Sequence, residues 1–134
     1  MKTLVNPKEV ASEHAITEAK DFATEFMVNE LGILRRTLED GEIYASDTSM
    51  RSKYDENIVG NFLLASSGKE LSLDMYVFIP KVNKPEVIFL TFTRSEGVST
   101  LLFSSESLPK PNDVPVDMVP AFVSLENLLI ELGL

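Results

Sequence analysis

The chain of 134 residues has no cysteine, no tryptophan and a single histidine. Without cysteine there is no disulfide framework and no thiolate metal site. With one histidine, a multi-histidine metal centre is excluded by count, and so is a histidine-based nucleophile triad built around any residue other than His14. No apolar run approaches the roughly 18 residues that a membrane-crossing helix needs. Met1-Lys2-Thr3-Leu4-Val5 runs directly into Asn6-Pro7, so no signal core follows the first lysine. Asn-x-Ser/Thr acceptors are missing as well. These absences point to a cytoplasmic, soluble protein. Basic charge is also scarce: 12 Lys and Arg stand against 21 Asp and Glu, a net charge of −9. A phosphate backbone or an anionic membrane surface is repelled by such a chain, so neither nucleic acid nor membrane is an expected partner.

What is present is apolar residues: 44% of the chain, enough to bury a core within one domain. They concentrate between residues 58 and 105. Val, Ile, Phe, Tyr and Thr between turn residues predict strands at about 58–65, 71–79, 86–94 and 99–105. Ser66-Ser67-Gly68, the loop from Pro80 to Pro85, and Glu96-Gly97 separate them. Connections this short force antiparallel neighbours, since a parallel crossover takes about a dozen residues or more. By the period of two, Leu71, Leu73, Met75, Val77 and Ile79 share one face, with Asp74, Tyr76 and Phe78 on the other. Both faces are apolar at the centre of the meander, and cover on each side is therefore expected.

A long helix precedes the meander. Asn6 is a suitable N-cap, Pro7 fits the first helical position, and Glu9 completes a capping box. Ala11, Ala15, Ile16, Ala19, Phe22, Ala23, Phe26 and Met27 fall on one side of the wheel, and Gly32 is a natural stop. Residues 33–46 read as a hairpin about Asp40-Gly41, with a second helix through Leu38 as the competing reading. Residues 46–57 read as a polar loop, and 107–120, with four prolines, as an extended crossing segment. A final helix, Ala121 to about Leu132, carries one stripe through Phe122, Leu125 and Leu129 and a second through Val123 and Ile130. The expected fold is α+β, an N-terminal helix on a curved antiparallel meander of four to six strands with a C-terminal helix. In shape alone this is similar to cystatin-like and NTF2-like architectures.

Chemistry is thin. His14 lies on the polar side of its helix one turn before Glu18, where an exposed ion pair is expected rather than a general base. Ser67-Gly68-Lys69 fails as a phosphate loop, because Leu63 replaces the first glycine and Glu70 the required Ser or Thr. The clusters Asp55-Glu56-Asn57 and Glu39-Asp40 lack calcium-loop spacing. No catalytic residue, metal or cofactor emerges. The leading expectation is a non-enzymatic interaction module (adaptor, chaperone or inhibitor-like) with an apolar association surface. It is expected as a homodimer or bound to another protein, with Val123 and Ile130 as interface candidates. The alternative is a small-molecule or catalytic pocket between the first helix and the sheet, lined by Phe22, Phe26, Tyr44, Asp74, Tyr76 and Phe92.

Overall fold

The computed structural model describes residues 13–40, 44–67, 70–80, 85–105 and 112–134. Within them the order is α1 (Glu13–Glu39), β1 (Tyr44–Arg51), β2 (Val59–Ser67), β3 (Glu70–Ile79), β4 (Glu86–Ser95), β5 (Val98–Ser105), β6 (Asn112–Val114), a 3-10 turn (Val116–Met118) and α2 (Pro120–Glu131). The strands form one antiparallel sheet in sequence order, open at both edges. The expected α+β class and helix–meander–helix order are what the molecule has. The Asn6 cap lies outside the described residues.

Three local expectations are corrected. The hairpin about Asp40-Gly41 does not form, because α1 continues through Gly32 to Glu39. Leu31, Leu34 and Leu38 extend the apolar stripe of Met27 at spacings of four, three and four. Leu34 is buried, and the other two pack against the core. That burial outweighs the roughly 1 kcal/mol a mid-helix glycine costs. Secondly, the polar stretch from 44 to 51 is a strand and only 52–58 is loop. β1 is an edge strand whose inward positions are partly polar, with Ser46 and Thr48 hydroxyls 2.8 Å apart, so apolar alternation gives no signal there. The loop after it is closed by its own hydrogen bonds. Ser52 N–H donates to the Ile58 carbonyl at 2.9 Å, and Ser52 Oγ accepts from Tyr54 and Asp55 N–H at 3.1 and 3.3 Å.

The third correction concerns the layers. Among the described residues both helices lie on the same face of the sheet, and neither covers the other face. Phe22 and Phe26 of α1 stack with Phe62 of β2, ring centroids 5.4 and 3.7 Å apart. Phe122 of α2 stacks on Phe92 of β4 at 5.7 Å. The helices meet where Arg35 Nη2 donates to Glu131 Oε2 at 2.8 Å, a hydrogen bond that raises the Arg35 guanidinium above its ordinary pKa. All five apolar residues from Leu71 to Ile79 at alternate positions are buried on this inner face, with Leu64, Leu90, Leu101 and Phe103 beside them. The small-residue ridge Ala15, Ala19, Ala23 is fully buried. Close approach has one further requirement at Gly60, whose hydrogen faces the Phe22 ring; a Cβ there would sit 2.5 Å from Phe22 Cε1.

An ion pair between buried Arg94 and half-buried Glu126 closes one end of the inner face. Arg94 of β4 is nearly inaccessible; its Nη1 donates to Ser99 Oγ at 2.7 Å and lies 3.8 Å from Glu126 Oε2 on α2. Glu126 is thus the charge interrupting the two apolar stripes of α2 for a structural reason.

Candidate functional site

The outer face of the sheet follows from register. Each outward position of β2 to β5 pairs with an outward position on its neighbour, which generates three cross-strand rows in the centre. One runs Val59, Phe78, Val87; the next Asn61, Tyr76, Phe89, Ser104; the third Leu63, Asp74, Thr91, Leu102. Tyr76 and Phe89 touch with centroids 5.3 Å apart and planes tilted by 54°. Leu63 keeps 49% of its surface exposed, Tyr76 41% and Phe89 38%. Phe78, Val59 and Leu102 are half-buried, and Val87 and Ser104 of the same rows are buried. These side chains form one continuous apolar patch, since opposed residues lie about 5 Å apart and successive rows about 7 Å.

Charge frames the patch asymmetrically. Extended to the edge strands, the third row begins at Asp47 of β1 and ends at Asp113 of β6, with Asp74 between them. Asp47 and Asp74 are exposed. Glu70 stands at the β2–β3 end and accepts a hydrogen bond from Ser95 Oγ at 3.1 Å. The face has one cation among the described residues, Arg51 at a corner, and its Nη1 donates to the Glu56 carbonyl at 2.6 Å. Among the described residues, the face thus carries four carboxylates and one guanidinium.

The six residues expected to line a helix–sheet pocket do not meet in one place. Phe22, Phe26 and Phe92 are buried on the inner face, in ring stacks. Asp74 and Tyr76 are exposed on the outer face, a full sheet thickness away. Tyr44 opens β1, and its side chain lies outside the described residues. Alternation along the strand separates Asp74 and Tyr76 from Phe92: the register pairs Asp74 with Thr91, not with its inward neighbour. Of the interface candidates on α2, Val123 is half-buried and Ile130 is 54% exposed, both on the helix side of the molecule and remote from the outer patch. His14 Nδ1 lies 4.0 Å from Glu18 Oε1 at the exposed surface, as its helix position implies.

A concavity of about 660 Å³ lies at the rim between α1 and the 52–58 loop. Glu18, Asp21, Glu25 and Asp55 contribute carboxylates, with Phe22 and Tyr54 beside them. Glu25 Oε1 accepts the Lys53 N–H at 2.7 Å, which fastens the loop to the helix. No group of three or more acidic or histidine side chains among the described residues is placed to hold a metal ion. No helix there is long and apolar enough to cross a membrane.

The doubly apolar meander predicted cover on both faces, whereas Leu63, Tyr76 and Phe89 stand exposed on one of them. Which face the helices cover depends on contacts across the chain, and strand periodicity is symmetric with respect to the two faces. No protein family, curated protein or solved structure matches this chain.

Proposed function

We propose that the protein is a non-enzymatic interaction module that associates through the outer face of its sheet. One observation supports this above all: Leu63, Tyr76 and Phe89 stand exposed in the middle of a sheet whose opposite face takes both helices. Contiguous apolar patches of more than a few hundred Å² are uncommon on soluble monomers and mark association sites. The dimensions are adequate. Five strand spacings of ~4.8 Å by eight to ten residues of ~3.4 Å give a face of roughly 700 Å², close to the ~800 Å² per partner of a standard interface. The aromatic pair supplies the large, stiff side chains that anchor interfaces.

The reading is tested with a neutral solvatochromic dye, Nile red, and with molar mass by light scattering. Folded wild-type protein should either enhance dye emission or bury the face in a second copy, seen as a doubled mass. The triple substitution Leu63→Ser, Tyr76→Ser, Phe89→Ser should abolish either signal while the far-ultraviolet circular dichroism is retained. A wild type that is monomeric and dark to the dye refutes the surface.

A further inference from the structure

We propose that two copies of this chain join edge to edge through β1, antiparallel about a twofold axis at Thr48, so that their sheets run on as one. The inference goes beyond the association reading above, because it concerns the edge of the sheet and leaves the outer face open.

β1 is the long edge strand, eight residues against three in β6. One hydrogen bond fixes which way its backbone points. Ser52 N–H donates to the Ile58 carbonyl at 2.9 Å, and the register that sets Arg51 opposite Val59 brings Ser52 opposite Ile58. In an antiparallel ladder every second residue turns both its N–H and its C=O to the same neighbour. Ser46, Thr48 and Met50 therefore turn to β2, as Ser52 does, and Ala45, Asp47, Ser49 and Arg51 turn both groups away from it. Among the described residues no strand meets those groups. The usual protections of an edge are missing from β1. It has no proline, no lysine and no inward-pointing charge, and no bulge breaks its register with β2.

A second copy fits this edge. Opposed residues share a face of the sheet, so a twofold axis must pass through one residue of β1 and its own twin. With Asp47 there, two carboxylates stand directly opposed, which is destabilising. With Ser49 there, Ala45 falls beyond the end of the other copy's strand, at Arg51. With Thr48 there, Ala45 pairs with Arg51 and Asp47 with Ser49 in both directions, and all four outward residues exchange hydrogen bonds. Asp47 then lies diagonal to the second copy's Arg51, within reach of its long side chain. Both strands are held extended by β2 before they meet, so the ordering cost that a free peptide pays on adding to an edge is avoided.

Light scattering of the full chain up to about 100 μM should give a doubled mass. Ser49→Pro removes an outward N–H that the β1–β2 ladder does not use, and should return the monomer with circular dichroism retained. The chain has no cysteine, so single cysteines read the register. Thr48→Cys sets two thiols opposite each other in a non-hydrogen-bonded pair, about 4.5 Å between Cα atoms, and should crosslink the copies on mild oxidation. Met50→Cys leaves its thiols four residues apart, about 14 Å, and should not. Asp47→Arg should weaken association about tenfold, and adding Arg51→Asp should restore it. The triple substitution Leu63→Ser, Tyr76→Ser, Phe89→Ser should leave the mass doubled while removing dye emission, so the edge and the face are read separately. If Ser49→Pro costs the fold, the two cysteine variants still decide. A monomeric wild type, a folded Ser49→Pro dimer, equal crosslinking at 48 and 50, or a doubled mass lost with the face substitutions overturns the proposal.

Discussion

Substituting Gly60→Ala should destabilise the fold, against the usual sign for a strand glycine. Replacing glycine by alanine in a strand interior ordinarily stabilises by about 0.5–1 kcal/mol, because the unfolded chain loses freedom. Here the new methyl would stand 2.5 and 2.9 Å from Phe22 Cε1 and Cζ and 2.7 Å from the Tyr76 carbonyl oxygen. The oxygen belongs to β3, held in register on both sides by β2 and β4. The ring is buried and stacked against Phe62. Neither neighbour is a flexible side-chain end, so the strain falls in the usual overpacking range of about 1–3 kcal/mol, and the net loss is about 1–2 kcal/mol. In urea, with a slope of about 1–3 kcal/mol/M, the midpoint should fall by about 1 M with the slope unchanged. Phe22→Leu makes room for the methyl, so the double variant should be more stable than the sum of the two losses predicts, by at least ~0.5 kcal/mol. A midpoint equal to or above wild type, or strict additivity with Phe22→Leu, would refute the reasoning.

Gly32→Ala should act in the opposite direction, raising the unfolding free energy by about 0.5–1 kcal/mol, because the site is helical and a methyl there meets only Arg36 Nη1 at 3.7 Å; a loss on thermal melting would contradict the continuous α1. The hairpin turn places Glu96 at φ 51° and Gly97 at φ 77°, so Glu96→Asn should stabilise by a few tenths of a kcal/mol up to about 1, since Asn tolerates the left-handed region better. Glu126→Ala removes the countercharge of the buried Arg94 and should cost about 1–3 kcal/mol in denaturant, whereas a neutral outcome would show that the 3.8 Å pair contributes no net stability. Ile130→Glu, at an exposed position, should change stability by no more than about 0.5 kcal/mol, and unfolding would place that side chain in the core.

The sequence alone determined the elements in which a period and its terminators agree. The stripe from Ala15 to Met27 is buried on α1, and β2 to β5 lie within a residue or two of their predicted bounds, because local spacing carries both the secondary structure and the direction of each side chain. The same spacing correctly set Asp74, Tyr76 and Phe78 apart from Leu73 and Val77. Local pattern misled where a long-range contact outweighed it: at Gly32, where burial of Leu34 carries the helix onward, and in β1, whose polar residues are strand because β2 offers them a hydrogen-bonded edge. The tertiary structure alone decided that α1 and α2 share one face. A strand with apolar residues on both sides states that two surfaces need cover, but alternation has no sign that says which surface the chain itself supplies. The stacking of Phe122 on Phe92 and the Arg35–Glu131 pair place α2 beside α1, and that placement leaves Leu63, Tyr76 and Phe89 exposed, bordered by Asp47 and Asp74, on the face the helices do not reach.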